Sequence, residues 1–221
     1  MNVHIVDHML SDIDPEMTER LTLNKRDLFR QAAIRLGALA SVPLVLASAS
    51  KEAFAGGIPK KIVDVLNFAL TLEYIENAFY STALSKGVVP ARYRAIFRII
   101  ALHEAQHVAF LKGALGAAAV KAPRADFTAG GKYADVFSNF KTFLTLSQTF
   151  EDLGVAAYKG QAANLMGNGD ILTAALQIHS VEARHAAEVR RIGGKKSWNG
   201  AFDTPLSKAA VLAAATPFLV A

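Results

Sequence analysis

Two copies of one short motif constrain this chain more than any other feature of its sequence. Glu104 and His107 are three positions apart in HEAQHVAFL, and Glu182 and His185 repeat that spacing 78 positions later in VEARHAAEV. Both stretches are otherwise mostly apolar, so each motif is predicted to lie on a helix that is largely buried. Burying an ionised carboxylate without a partner costs roughly several kcal/mol, so these groups need something to bind.

The internal repeat extends beyond the motif. At the same offset, Glu73 in LTLEYIENAFY corresponds to Glu151 in SQTFEDLGVAAY, and Tyr80 corresponds to Tyr158. A two-helix unit is therefore used twice in this chain. Because residues i and i+3 share one face of a helix, each Glu-x-x-His motif presents a carboxylate and an imidazole in the same direction.

Apolar periodicity predicts four helices and no strand, and therefore an all-α protein. The helices are predicted at 62–86, at 91 to about 115, at about 136 to 165, and at 170–192, with Asp170 as the N-cap of the fourth. The connection between the second and third helices is long, and the other two are short. Short links join antiparallel neighbours, so the pattern predicts a four-helix bundle with one long crossover between helices 2 and 3. A later apolar segment, 206–219, is predicted to form a C-terminal packing helix or an oligomer contact.

Polar residues of the repeat are predicted to meet at one level of the bundle. Glu73 lies 13 residues before Lys86, and Glu104 lies 13 residues after Ala91. At about 1.5 Å per residue, both are roughly 20 Å from the turn that joins their helices. The second hairpin has the same geometry, so six side chains are predicted to converge: Glu73, Glu104, His107, Glu151, Glu182 and His185.

Four carboxylates in an apolar bundle are a severe electrostatic burden unless cations neutralise them. Two divalent ions cancel four negative charges, so the sequence predicts two metal ions as cofactors. A site rich in oxygen ligands with some imidazole favours iron or manganese over zinc or copper. The alternative is a degenerate bundle whose inner glutamates are satisfied by arginines or water.

Several residues near this cluster are open to more than one interpretation, and no catalytic residue is assigned. Tyr80 and Tyr158 are predicted to lie about 10 Å from the metals, as core tyrosines bonding across the bundle or, alternatively, in a redox role. Glu76 is predicted to be an auxiliary acid or a solvated glutamate. His103 is expected to point away from the cluster, whereas His179 could donate a hydrogen bond to it.

Composition narrows the chemistry and the partners. The chain has no cysteine, which excludes disulfides, iron–sulfur clusters and rubredoxin-like iron sites. Its net charge is +5, but the basic residues are spread along the chain. The densest basic run, RRIGGKK at 190–196, follows a helical pattern, and cations are favoured at helix C-termini. We therefore expect no nucleic-acid partner.

The first 55 residues have the layout of an export signal. A basic segment that includes Lys25 and Arg26 precedes an apolar run, which ends at Ala53-Phe54-Ala55. Lys25 stands where a twin-arginine signal has its first arginine, so the signal is only twin-arginine-like. Cleavage after Ala55 would give an exported or periplasmic chain without a membrane span; the alternative is a retained amphipathic helix. The predicted domains are residues 1–55 as the leader, 56–200 as the bundle and 201–221 as a packing tail.

The chain resembles the ferritin-like superfamily of di-iron and di-manganese carboxylate proteins, and within it the exported bacterial ferritin-like domain proteins related to desiccation-related proteins. The resemblance covers roughly residues 58–200, and its most specific segments are LEYIENAFY, HEAQHVAFL, FEDLGVAAYKGQA and HSVEARHAAEVRR. It implies that Glu73 and Glu151 are terminal ligands, and that Glu104 and Glu182 bridge two metal ions.

The resemblance does not fix one activity. The leading expectation is an exported non-haem dinuclear protein that reacts with dioxygen or hydrogen peroxide, as a ferroxidase or in peroxide detoxification. One alternative is a manganese catalase that uses the same six residues. Another is a desiccation or stress protein whose metal site is structural or vacant. A monomer or a small homo-oligomer is expected.

Overall fold

A computed structural model describes residues 57–198 and 200–220, and these residues are mostly helical. Four long helices form the bundle and a short fifth helix follows: α1 is Lys60–Lys86, α2 is Arg94–Leu115, α3 is Phe140–Leu165, α4 is Gly169–Ile192 and α5 is Lys208–Ala215. α1 packs against α2, and α3 packs against α4, so two hairpins lie side by side. The predicted all-α bundle with a long connection between α2 and α3 is confirmed.

Local sequence explains where the hairpin turns occur. Gly87 ends α1 with a φ of 73°, a left-handed conformation that glycine adopts without strain. The N-cap of α4 is Asn168 and not Asp170 as predicted, because the Asn168 side chain accepts a hydrogen bond from the backbone N–H of Ile171 at 3.1 Å. Asp170 lies in the first turn instead, where its negative charge favours the positive end of the helix dipole.

The third helix begins later than its apolar pattern predicted. Asn139 is the N-cap of α3, and its side chain accepts a hydrogen bond from the backbone N–H of Lys141 at 3.0 Å. Val136 therefore belongs to the preceding series of turns, although its side chain is buried in the core. The predicted helix started at 136 because the apolar Val136 fits the helical spacing. An apolar residue buried in a turn gives the same sequence signal as one buried in a helix.

Two very short strands, for which the sequence shows no pattern, connect the crossover to the C-terminal tail. β1 is Arg124–Ala125, β2 is Leu219–Val220, and the two strands pair antiparallel. A two-residue strand is too short to produce the alternation from which strands are predicted.

The C-terminal segment packs on the bundle, in agreement with the predicted packing helix. α5 buries Val211 and Ala215 against the core. Before α5, the chain crosses α3 so closely that a Cβ on Gly160 would lie 1.8 Å from the carbonyl oxygen of Leu206. The Leu206 N–H donates to the backbone carbonyl of Ala156 at 3.1 Å, so glycine is required at this crossing.

The apolar interior consists of two clusters toward opposite ends of the bundle. The aromatic cluster combines the C-terminal half of α1 with the N-terminal parts of α2 and α3, and includes Phe79, Phe97 and Phe143. The aliphatic cluster combines the N-terminal half of α1 with the C-terminal parts of α2 and α3, and includes Leu70 and Leu111. The predicted polar cluster lies in the level between them.

The predicted leader, including the cleavage point after Ala55, lies outside the described residues. The domain boundaries proposed at 55/56 and 200/201 therefore remain predictions. Among the helices of residues 57–198 and 200–220, none is both long enough and apolar enough to cross a membrane.

Candidate metal centre

The six residues singled out from the repeat are brought together inside the bundle. α1 and α3 each contribute one glutamate, whereas α2 and α4 each contribute a glutamate and a histidine. All four glutamates have no exposed surface, and the two histidines are 8% and 5% exposed; the set is Glu73, Glu104, His107, Glu151, Glu182 and His185. Six polar side chains therefore share a volume that is closed to bulk solvent.

Within this cluster the side chains form two overlapping groups, each able to contribute ligand atoms to one ion. The first group contains Glu73, Glu104, His107 and Glu182, and in the second Glu151 and His185 join the same two glutamates of α2 and α4. In each group the ligand atoms lie within 4.8 Å of one another. Glu104 and Glu182 therefore occupy positions from which a carboxylate could bridge two ions.

The contacts of His107 show that hydrogen bonding alone does not account for the cluster. Its Nδ1 lies 3.2 Å from an oxygen of Glu73, 3.1 Å from one of Glu104 and 3.1 Å from one of Glu182. A ring nitrogen carries at most one hydrogen and cannot satisfy three acceptors. Three carboxylates and one imidazole therefore converge on a common point.

The second group has the same character. Nδ1 of His185 lies 2.9 Å from Oε1 of Glu104 and 3.3 Å from Oε2 of Glu151. These three atoms, together with both carboxylate oxygens of Glu182, are buried without a hydrogen-bond partner. Buried polar atoms normally have partners, and a set of unpartnered oxygens and imidazole nitrogens suits iron or manganese. The residues present therefore fit a pair of such ions.

Burial gives the carboxylates unequal acidities. It raises the pKa of Glu104 to about 7, although the neighbouring His107 and His185 rings favour its charged form. Burial, reinforced by the Glu104 and Glu73 charges, raises the pKa of Glu182 well above its usual value. Burial would also raise the pKa of Glu73, but the charge and hydrogen bond of His107 hold it below the usual value.

The two histidines of the cluster hold protons tightly when no ion is present. Burial alone would lower the pKa of His185, but the Glu151 charge and the Glu104 carboxylate 2.9 Å away raise it to about 10. The pKa of His107 is raised for the same kind of reason, chiefly by Glu73. Because a metal ligand must be deprotonated, metal binding here would release protons.

Two tyrosines connect the halves of the cluster reciprocally. The Tyr80 hydroxyl on α1 donates to Glu151 on α3 at 2.5 Å, and the Tyr158 hydroxyl on α3 donates to Glu73 on α1 at 2.5 Å. The predicted hydrogen bonds across the bundle are therefore present. The sequence did not identify Glu73 and Glu151 as the acceptors. The rise per residue along a helix locates the Cα atoms, but it does not include the length of the tyrosine side chain.

His103 does not point away from the cluster, and that expectation was wrong. Its Nδ1 lies 2.9 Å from Nε2 of His185, and the two rings stack with their centroids 5.2 Å apart. His185 directs Nδ1 at the carboxylates, so its second nitrogen faces outward and meets a side chain from the neighbouring helix. His179 makes no contact of this kind, and its Nε2 is buried without a hydrogen-bond partner.

Glu76 is a fifth buried glutamate beside the cluster, so the solvated alternative is wrong. It is 3% exposed, and its repeat equivalent on α3 is Gly154. A Cβ built on Gly154 would lie 2.9 Å from an oxygen of Glu182 and 3.3 Å from an oxygen of Glu76. Burial and the Glu182 charge raise the pKa of Glu76 well above its usual value.

Comparison with known proteins agrees with this architecture. The model of a family described as "Ferritin-like domain" matches residues 61–195, a range that includes all six residues of the cluster. No curated protein matches the chain.

Proposed function

Because the chain belongs to the ferritin-like domain family, we propose that it is a dinuclear metalloprotein whose iron or manganese ions react with dioxygen or hydrogen peroxide. Its activity is of the ferroxidase or peroxide-detoxifying type. The observation that carries this proposal is the overlap of the two ligand groups, which share Glu104 and Glu182. Shared carboxylates would hold two ions close together, so that each ion could supply one electron to a two-electron reduction.

The proposed ligands follow from the geometry of the cluster. Glu73 and His107 would bind one ion, whereas Glu151 and His185 would bind the other. Glu104 and Glu182 would bridge the two ions. Four carboxylates balance two divalent ions, and the unpartnered oxygens of Glu104, Glu151 and Glu182 would gain partners.

Around the ions, the chain's own groups fix the geometry. Tyr158 and Tyr80 donate to Glu73 and Glu151, so each of these carboxylates has one oxygen held and the other free to bind. Nδ1 of His103 can accept a hydrogen bond from the Nε2–H of His185, which leaves Nδ1 of His185 free to bind an ion. The aromatic and aliphatic clusters on either side exclude bulk water.

The bound ions would supply the electrons: two ferrous ions reduce dioxygen and two protons to hydrogen peroxide, or hydrogen peroxide and two protons to two water molecules.

The proposal includes export of the protein, on the support of the sequence at 24–55 alone. The basic segment, the apolar run and the Ala53-Phe54-Ala55 end are typical of a cleaved signal. The bundle would then act in the periplasm or otherwise outside the cytoplasm.

Metal analysis of the purified protein, combined with rapid mixing, tests the proposal. We expect two ions per chain, and oxidation of the ferrous-loaded protein by dioxygen or by hydrogen peroxide. If the bound metal is manganese and the protein disproportionates hydrogen peroxide, the catalase alternative replaces the ferroxidase one. If the protein binds no metal or its ions do not react, the proposal is wrong and a structural role in stress remains.

A further inference from the structure

The internal repeat makes it possible to compare the surroundings of the two tyrosines position by position. The Tyr80 ring is packed among three aromatic rings, with centroid distances of 5.4 Å to Phe79, 6.0 Å to Phe97 and 6.1 Å to Phe143. These three phenylalanines have no exposed surface. The end of the bundle around Tyr80 is therefore filled.

Around Tyr158 the equivalent positions carry much smaller side chains. At the repeat offset, the equivalents of Phe79, Phe97 and Phe143 are Ala157, Ala175 and Val65. All three are buried and line a cavity of about 30 Å³ between the four helices. The cavity is thus the space that three aromatic rings occupy in the other half of the molecule.

The walls of this cavity are almost entirely apolar. Most of the lining consists of aliphatic residues and two phenylalanines, Phe68 and Phe110. The polar exceptions are Tyr158 and Gln161. Tyr158 directs its hydroxyl away to Glu73, and the Gln161 side-chain oxygen accepts a hydrogen bond from Asn164. A molecule in the cavity would therefore find little with which to form hydrogen bonds.

The cavity borders the proposed metal centre directly. The Tyr158 ring forms part of its wall, and the hydroxyl of the same ring lies 2.5 Å from Glu73. One side chain, Tyr158, therefore contacts both the cavity and a carboxylate of the first ligand group. Around Tyr80, which donates to Glu151 of the second ligand group, three phenylalanine rings occupy the equivalent space.

We propose that the cavity beside Tyr158 binds dioxygen and supplies it to the side of the cluster formed by Glu73 and His107. This inference rests on the proposed function, which allows dioxygen or hydrogen peroxide as the oxidant, and it selects dioxygen. A space of about 30 Å³ accommodates a diatomic molecule. An apolar cavity stays dry and binds apolar gases, whereas hydrogen peroxide would lose its hydrogen bonds to water on entering it.

The reaction that follows is balanced by the ions of the centre. Dioxygen would take two electrons from two ferrous ions, which become ferric, and two protons from solvent, and it would leave as hydrogen peroxide. No further oxidant or reductant is required for one turnover.

Xenon binding tests the cavity independently of any metal chemistry. Xenon is apolar and monatomic, and it binds in dry protein cavities. We expect crystals of the metal-free full chain, pressurised with xenon, to show one atom beside Tyr158 and none beside Tyr80. Absence of xenon from the Tyr158 side would overturn the proposal.

Filling the cavity tests its role in the reaction. Ala157→Phe and Ala175→Leu restore some of the volume present around Tyr80, and the exposed Ala163→Leu on the same helix as Ala157 is the matched control. We expect either filled variant to lose xenon binding, and to be oxidised by dioxygen about tenfold or more slowly. Its oxidation by hydrogen peroxide and its metal content should equal those of Ala163→Leu.

The outcomes separate this inference from the proposed function. Equal rates with dioxygen in filled and control variants overturn the cavity's role. Equal slowing with both oxidants also overturns it, because the substitution would then have disturbed the centre itself. If xenon binds in the wild type but its ions react with neither oxidant, the proposed function fails, and with it the assignment of dioxygen.

Discussion

Glu76 on α1 occupies space that Gly154 on α3 leaves open, although the two positions are equivalent in the internal repeat. The fifth buried glutamate is therefore present on one side of the cluster only. Its carboxyl group makes no hydrogen bond among the described residues and has a raised pKa, so its charged form is disfavoured in the folded protein. This asymmetry leads to the first prediction.

Glu76→Gln should stabilise the metal-free protein. At pH 8 the unfolded chain gains by ionising Glu76 and the folded chain does not, so removal of the charge should raise the free energy of unfolding by roughly 1 kcal/mol or more. Chemical denaturation of the metal-free variant and wild type measures this difference. Metal content should stay at two ions per chain, and a variant with fewer ions would identify Glu76 as a ligand instead.

Stability of the metal-free protein should fall as pH rises from 5 to 9. Raised pKa values at Glu104, to about 7, and at Glu182 mean that the folded state keeps protons which the unfolded state loses above its value of 4.5. The raised pKa of His185 adds stability that is complete below 6.5 and is lost through about 10. Glu73, whose pKa is lowered, has the opposite effect at more acidic pH.

Bound metal should reverse this trend, because its ligands must be deprotonated and its affinity therefore rises with pH. Thermal melts at pH 5, 7 and 9, with and without iron or manganese, measure both effects. The increase in melting temperature on adding metal should be largest at the highest pH at which the metal stays in solution. A metal-free protein whose stability rises over this range would contradict the assigned protonation states.

Glu104→Ala or Glu182→Ala should remove most of both ions. Each of these carboxylates belongs to both ligand groups, so the loss of one disturbs two binding positions. Glu188→Ala is a matched control on α4, since Glu188 pairs with Arg191 at the surface. Metal analysis gives the stoichiometry, and unchanged metal content in both bridging variants would be incompatible with a dinuclear centre.

His103→Leu should weaken metal binding at the position of His185 about 10- to 100-fold, because it removes the group that faces Nε2 of His185. His103→Asn keeps an acceptor near the position of Nδ1 and should restore most of the affinity. Competition with a chelator measures both. The repeat equivalent of His103 is Val181, so Val181→Leu is the control, and an equal loss in this control would indicate a packing effect only.

Exported material should begin near Gly56. The signal-like segment ends at Ala53-Phe54-Ala55, and small residues at these positions favour cleavage after Ala55. N-terminal sequencing of the protein from the periplasmic fraction measures the start. Intact chain retained in the cytoplasm, with its first residues in place, would rule out the export signal.

The repeat made the four helices and the convergence of six polar residues predictable. Glu73 and Glu151 were identifiable because spacing along a helix determines both its face and its level, and a hairpin carries the level of one helix over to the next. The contact between His103 and His185 was not predictable, since it depends on how far α4 is rotated toward α2. Helix rotation is set by packing and leaves no local signal in the sequence.

The ends of elements were also only partly predictable. Asn168 and Asp170 were both candidates for the N-cap of α4, because both residue types are favoured at that position. Local backbone geometry decides which of them caps the helix. The pairing of β1 with β2 joins residues about a hundred positions apart in the chain, and no short-range pattern reports it.

Division of the ligands between the two hairpins has a consequence for how this protein arose. Each ligand group takes three residues from one hairpin and a single bridging glutamate from the other, so one hairpin by itself could not complete a site. An ancestral hairpin would have had to pair with an identical copy, and symmetry would then have made the two metal sites identical. A single chain that carries both hairpins is free of that restriction, and its two halves do differ: Glu76 and His103 have no chemical equivalent in the second hairpin, and the space around Tyr158 has none around Tyr80.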